Sequence, residues 1–138
     1  MKLPITGACL CGTVKYEIHA ESVGAGNCHC RTCQRAAGAA YMPAFFVPYD
    51  SLKITGKYKE YASISESGNT IHRGFCPNCG TTLFGRNSVT KEFRPVNAAT
   101  LDDPSIYHPN MDFWVSDAQP WDTMNPDLTK FDKNFLHF

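Results

Sequence analysis

The chain has 138 residues, 43% of them hydrophobic and 19% charged, with thirteen Lys and Arg against thirteen Asp and Glu. That length suits one domain with a real core, and that composition excludes a disordered chain. A net charge of zero removes the basic field on which non-specific nucleic-acid binding depends, and no apolar stretch reaches membrane-spanning length.

In chain order, the opening Met1-Lys2-Leu3-Pro4-Ile5-Thr6-Gly7 is too short and broken for a secretory signal, so a cytoplasmic protein is expected. From Thr13 to His19, apolar Val14, Tyr16 and Ile18 alternate with polar neighbours, the period of a half-buried strand. Further strands are expected at Tyr41 to Val47, Leu52 to Thr55, Tyr58 to Ile64 and Thr70 to Phe75, with Ser65 to Asn69 as a hairpin turn. A short helix is expected near Cys30 to Ala37 and a second after Asp102-Asp103-Pro104. Trp121, Phe131, Phe135 and Phe138 lie in a stretch without periodicity, read as a tail packed over the core. The expectation is one mostly β domain over residues 1–138, in antiparallel sheets with little helix.

Seven cysteines cannot all pair, and a reducing compartment disfavours disulfides, so metal ligation explains them better. Cys76-Pro77-Asn78-Cys79-Gly80 has the form of a zinc-knuckle half-site: Pro77 presets a tight turn and Gly80 tolerates positive φ. A redox dithiol is the competing reading. Cys9-Leu10-Cys11 could present both sulfurs on one side of an extended chain, or be two small buried residues. Taken with Cys76 and Cys79, this pair completes a four-cysteine structural zinc site.

Cys28, Cys30 and Cys33 remain. Two extended positions and a one-turn step make a compact tripod, and zinc with three protein ligands keeps one place open. Three thiolates leave the ion at about −1, a poor activator of water but a good acceptor for another sulfur. The fourth ligand is then water or a substrate thiol. A histidine could instead close the site: His29 points away if the stretch is extended, and His72 stays open as a candidate.

The order Cys9-x-Cys11-Gly12, Cys28-His29-Cys30-x-x-Cys33 and Phe75-Cys76-Pro77-x-Cys79-Gly80 resembles the glutathione-dependent formaldehyde-activating enzymes and the related centromere protein V domain. Gly38, Tyr61, Thr100-Leu101-Asp102-Asp103-Pro104 and Trp121-Asp122 add lesser echoes. The resemblance implies a tent-like arrangement of small sheets. It also implies a structural zinc on Cys9, Cys11, Cys76 and Cys79, and a second zinc on Cys28, Cys30 and Cys33 near the active site. The implied reaction is carbon–sulfur lyase chemistry on a thiol–aldehyde adduct, as in S-hydroxymethylglutathione synthesis. Two features depart from the family: Asp112 stands where a histidine is often found, and the chain is shorter.

Gln34 and Arg35, just past Cys33, are candidate substrate contacts, with a solvated helix face as the alternative. Tyr41, Phe45 and Phe46 could line an apolar wall or pack in the core. Asp102 and Asp103 could do acid–base work, but Asp-Asp-Pro first signals a helix or turn start. The expected function is a zinc-dependent lyase-like enzyme acting on a small thiol such as glutathione, with no nucleic-acid or membrane partner. The alternative is a non-catalytic zinc-binding protein-interaction module.

Overall fold

Tyr16 and Ile18 are buried while Lys15 and Glu17 are exposed, so the two-residue period becomes strand β2 (Lys15–Ile18). In the computed structural model, which describes residues 2–135, β2 lies between β1 (Ile5–Ala8) and β5 (Leu52–Thr55) in an antiparallel sheet. The other strands form one eight-stranded sheet. Its spatial order is β11 (Thr129–Lys130), β10 (Met111–Phe113), β3 (Gly24–Cys28), β4 (Met42–Pro48), β9 (Phe93–Asn97), β8 (Thr82–Asn87), β7 (Thr70–Phe75) and β6 (Lys59–Ile64).

The unbroken apolar run Ala44-Phe45-Phe46-Val47 marks a strand covered on both faces. Phe45 and Val47 enter the main core with Val14, Tyr16, Ile18, Leu83 and Val96, which joins the two sheets. Ala44 and Phe46 turn the other way, to a second apolar cluster with Cys28, Cys33 and Phe113. β4 therefore separates a structural core from the cluster that carries the cysteine tripod.

Pairing is antiparallel except at one edge, where β10 runs parallel to β3 and to β11. Parallel neighbours need long connections, and both pairs are joined by long stretches of chain rather than by hairpins. Strands β3, β8 and β9 carry little sequence signal: β3 reads Gly-Ala-Gly-Asn-Cys, and Pro95 interrupts β9. The hairpin of β6 and β7 turns at Ser65 to Asn69 as expected, closed by Ser65 N–H donating to Asn69 O at 2.8 Å.

The short helix is α1 (Arg31–Ala37). The Cys30 sulfur caps its start by accepting from Cys33 N–H, and Gly38 ends it at φ 65°, a left-handed conformation that only glycine adopts cheaply. Asp-Asp-Pro opens a single 3-10 turn, Pro104–Ile106, capped by Asp103. In the tail, Phe135 packs on Phe46 and Phe113 at ring-centre distances of 5.3 and 4.9 Å, and Phe131 joins the same cluster. Trp121 departs from the expectation, being 67% exposed; its neighbour Asp122 is what the tail anchors. Phe138 lies outside the described residues.

Candidate metal centres and the adjoining cleft

Cys9, Cys11, Cys76 and Cys79 converge, their four sulfurs lying within 4.8 Å of one another. The local path differs from the extended chain expected at Cys9-Leu10-Cys11. It is a turn, closed by Gly12 N–H on Cys9 O at 3.1 Å, which brings the Cys9 and Cys11 sulfurs to 3.6 Å. The other pair comes from the turn between β7 and β8, where Gly80, at φ 78°, donates to Cys76 O at 2.8 Å. Cys11 and Cys76 sulfurs stand 3.8 Å apart. Four sulfurs around a tetrahedral zinc have edges of about 3.8 Å, given Zn–S of about 2.3 Å, so this donor set fits that ion.

Two thiols of the group are biased toward the thiolate, while Cys76 is raised. Hydrogen bonds from the Thr81 side chain and backbone hold the Cys79 thiol down to about 5. Thr13 and then Asn78 lower Cys11 to about 7. The group clamps the loop after β1 to the β7–β8 turn, and Cys9 and Cys76 are buried against the main core.

Cys28 closes β3, Cys30 caps α1 and Cys33 lies in the first helical turn. Their sulfurs also lie within 4.8 Å of one another, with no histidine or carboxylate in the group. The neighbouring thiols of Cys28 and Cys33 stabilise a thiolate on Cys30, which falls to about 3; the charge of Arg73 acts in the same direction. Cys28 moves oppositely, raised by its hydrogen bonds to Cys30 and Cys33 and by burial. Burial and mutual hydrogen bonds thus push the three thiols in different directions.

Neither histidine considered from the sequence joins these sulfurs. His72 belongs to neither group. His29 is fully buried behind the tripod, with Nδ1 2.6 Å from an Asp122 oxygen and Nε2 2.8 Å from an Asp112 oxygen. Each ring nitrogen therefore faces a carboxylate. Asp112 also accepts from Asn27 at 3.1 Å and from Lys130 at 2.7 Å. Burial pushes its carboxyl up, but the hydrogen bonds from Lys130, His29 and Asn27 outweigh that and hold it below the usual carboxylate range.

A cleft of about 300 Å³ opens beside the tripod, which forms part of its wall. Arg73 lines it, with Nη2 3.9 Å from the Cys33 sulfur and Nη1 donating to Ser63 at 3.2 Å. Strand alternation turns Arg73 toward the tripod, but nothing in its sequence neighbourhood distinguishes it from an exposed strand arginine. The candidate substrate contacts lie elsewhere. Gln34 is 4% exposed, and its amide donates to His29 O at 2.7 Å and Asp117 O at 3.0 Å, tying the helix to the tail. Arg35 is exposed and outside the lining. Of the aromatic candidates, Phe46 lines the cleft, Phe45 sits in the main core, and Tyr41 packs on the His29 ring at 5.2 Å. Asp102 accepts from the Thr6 hydroxyl at 2.6 Å, and Asp103 caps its turn, so both are used structurally.

Two cysteine groups that could hold metal ions, one between the sheets and one on a cleft, mark a small cysteine-rich β protein. The profile of the glutathione-dependent formaldehyde-activating enzymes matches residues 4–117, and the chain belongs to that family. A Podospora anserina protein provisionally named a glutathione-dependent formaldehyde-activating enzyme is 36% identical over 80 residues, 56% of this chain and 37% of its own. One of the same provisional name from Aspergillus oryzae is 29% identical over 113 residues, 78% of this chain and 59% of its own. An uncharacterized lyase of Schizosaccharomyces pombe is 32% identical over 78 residues, 56% of this chain and 54% of its own. The chain therefore matches only 37% to 59% of the length of these relatives. A crystal structure of a Rhodobacter sphaeroides protein superposes with a TM-score of 0.58 at 20% identity, covering 92% of this chain and 99% of that one, a likeness of fold.

Proposed function

We propose that residues 1–138 form a single zinc-binding domain that works as a carbon–sulfur lyase-like enzyme on a thiol or thiol–aldehyde adduct, in the manner of S-hydroxymethylglutathione synthesis. The observation that carries this reading is the contrast between the two cysteine groups: four sulfurs converge at one, three at the other, and the three line a cleft. Cys9, Cys11, Cys76 and Cys79 would hold a structural zinc, and Cys28, Cys30 and Cys33 a second one. When bound at the tripod, zinc supplies a soft Lewis-acidic place that favours a thiolate over water.

The rest falls to the chain's own residues. Arg73 sets a positive charge beside Cys33 and offsets the negative charge of the tripod. Gln34 fixes the His29 carbonyl and the Asp117 carbonyl, and so holds the first turn of α1 against the tail. His29, gripped by Asp112 and Asp122, locks the backbone between Cys28 and Cys30. In the reaction proposed, sulfur bonds to the aldehyde carbon, the carbonyl π pair moves to oxygen, and that oxygen takes up a proton equivalent to the one the thiol gave up. Seven unpaired thiols suit a reducing compartment such as the cytoplasm. Among the described residues no helix is long and apolar enough to cross a membrane.

Zinc X-ray absorption with and without added glutathione tests the reading, because it counts sulfur neighbours. The expected result is a rise in the mean sulfur count on adding the thiol, lost in Cys30→Ser. An unchanged count, with two full protein-only shells, would instead favour a non-catalytic zinc module.

A further inference from the structure

The cleft beside the tripod is far larger than a one-carbon aldehyde requires. At about 300 Å³ it has the size of a small-ligand site. Its walls are mainly apolar: Met42, Phe46, Phe84, Phe93, Phe113 and Phe135 all line it. Phe46 packs on Phe93, Phe113 and Phe135, edge to face with Phe93 at 5.4 Å, so this wall is preformed.

The charged side chains around the cleft already have partners within the protein, Glu66 pairing with Lys133. Arg86 is held by both oxygens of Glu60 at 2.8 and 2.9 Å, and Arg31 donates to Gln34. Arg73 is shared between Ser63 and the Cys33 sulfur. Asn97 donates to Thr82 O at 2.8 Å and accepts from Ala99 N–H at 3.1 Å. Glutathione carries two carboxylates and an ammonium, and the charged groups they would pair with here are already engaged by the protein. An apolar group would displace poorly held water and leave these bonds intact.

We infer that the site selects a thiol, or thiol–aldehyde adduct, whose body next to the sulfur is apolar and ring-sized. The sulfur would sit at the tripod and the body along the Phe46 and Phe113 wall. This rests on the thiol chemistry proposed above, so the test separates the contribution of sulfur from that of the apolar body.

Trp114 lines the cleft, whereas Trp121 is exposed and outside its lining, so a Trp121→Phe variant reports binding through Trp114 fluorescence alone. Zinc-loaded, reduced protein is titrated with 2-phenylethanethiol, 2-phenylethanol, 2-mercaptoethanol and glutathione. The expected order places 2-phenylethanethiol roughly tenfold or more tighter than 2-mercaptoethanol and glutathione, the effect of partly burying one ring. Ile64→Asp, a change at an exposed position on the cleft rim, should weaken 2-phenylethanethiol several-fold and leave 2-mercaptoethanol unchanged. Glutathione binding as tightly as 2-phenylethanethiol would overturn the inference. The thiol chemistry itself is judged by the other contrast: 2-phenylethanethiol binding no better than 2-phenylethanol would overturn that reading, even with the apolar preference intact.

Discussion

Asp112 collects more polar partners than any other carboxylate in the described structure: His29, Asn27 and Lys130 all reach it, and it is 1% exposed. Removing one member of such a group leaves the others buried without a partner, which costs more than the net worth of the contacts. Asp112→Ala should therefore destabilise the fold by about 3 kcal/mol or more, measured by chemical denaturation, with Asp112→Asn milder. The same contacts set a pH dependence. Because the folded carboxyl titrates below its unfolded value of about 3.9, its contribution is complete above about pH 4 and is lost as pH falls through the folded value. Between pH 6 and pH 3 the wild type should lose more stability than Asp112→Asn, any loss of metal being common to both. None of this was legible in the sequence. Asp112 stands there as a departure from the family's histidine, and Asp122 as a companion of Trp121. Their meeting at His29 depends on a parallel strand pairing that no local pattern announces.

At the scale of elements, legibility followed the covering of strand faces. β2 has one buried face, so alternation marks it; β4 has two, and its apolar run marks it. β3 and β9 are stabilised by their neighbours, and neither Gly-Ala-Gly nor Phe-Arg-Pro carries a period. Turn chemistry was more reliable, because it acts over a few residues: Gly80 and Gly38 both adopt the positive φ their positions require. The same local reasoning failed at Cys9-Leu10-Cys11, where Gly12 permits a turn in place of an extended chain, though the sulfurs still converge. α1 has only seven residues and draws little from its own hydrogen bonds, so its caps matter. Gly38→Ala puts a Cβ into the left-handed region and should lower stability by about 1 kcal/mol, seen as a reduced Tm. Since Cys33 rides on this helix, the variant should also bind metal at the tripod less tightly in a competition titration, with the four-cysteine group unaffected.

Across the whole molecule, the two cysteine groups differ in what they tie together. The four-cysteine group joins positions 65 residues apart, such as Cys11 and Cys76, and so couples the small sheet to the large one. The tripod spans only Cys28 to Cys33, within one strand-to-helix connection. On loop closure alone, a cross-link over the longer span restricts the unfolded chain by about 2 kcal/mol more. The Glu66–Lys133 pair, which links the β6–β7 hairpin to the tail, is too exposed at both ends to match that. Exposure alone acts the other way, since Cys11 is exposed while Cys28 and Cys33 are buried, so the order rests on loop closure and on three sulfurs against four. On the two-metal reading proposed above, graded addition of a chelator under reducing conditions should therefore remove the tripod's metal first, with little change in circular dichroism. Cooperative unfolding should accompany loss of the second metal. Cys79→Ser should abolish soluble folding or strongly lower Tm, whereas Cys30→Ser should lose one metal per chain and cost far less stability. Simultaneous release of both metals in wild type, or equal losses of Tm in the two variants, would show that the groups share one structural role.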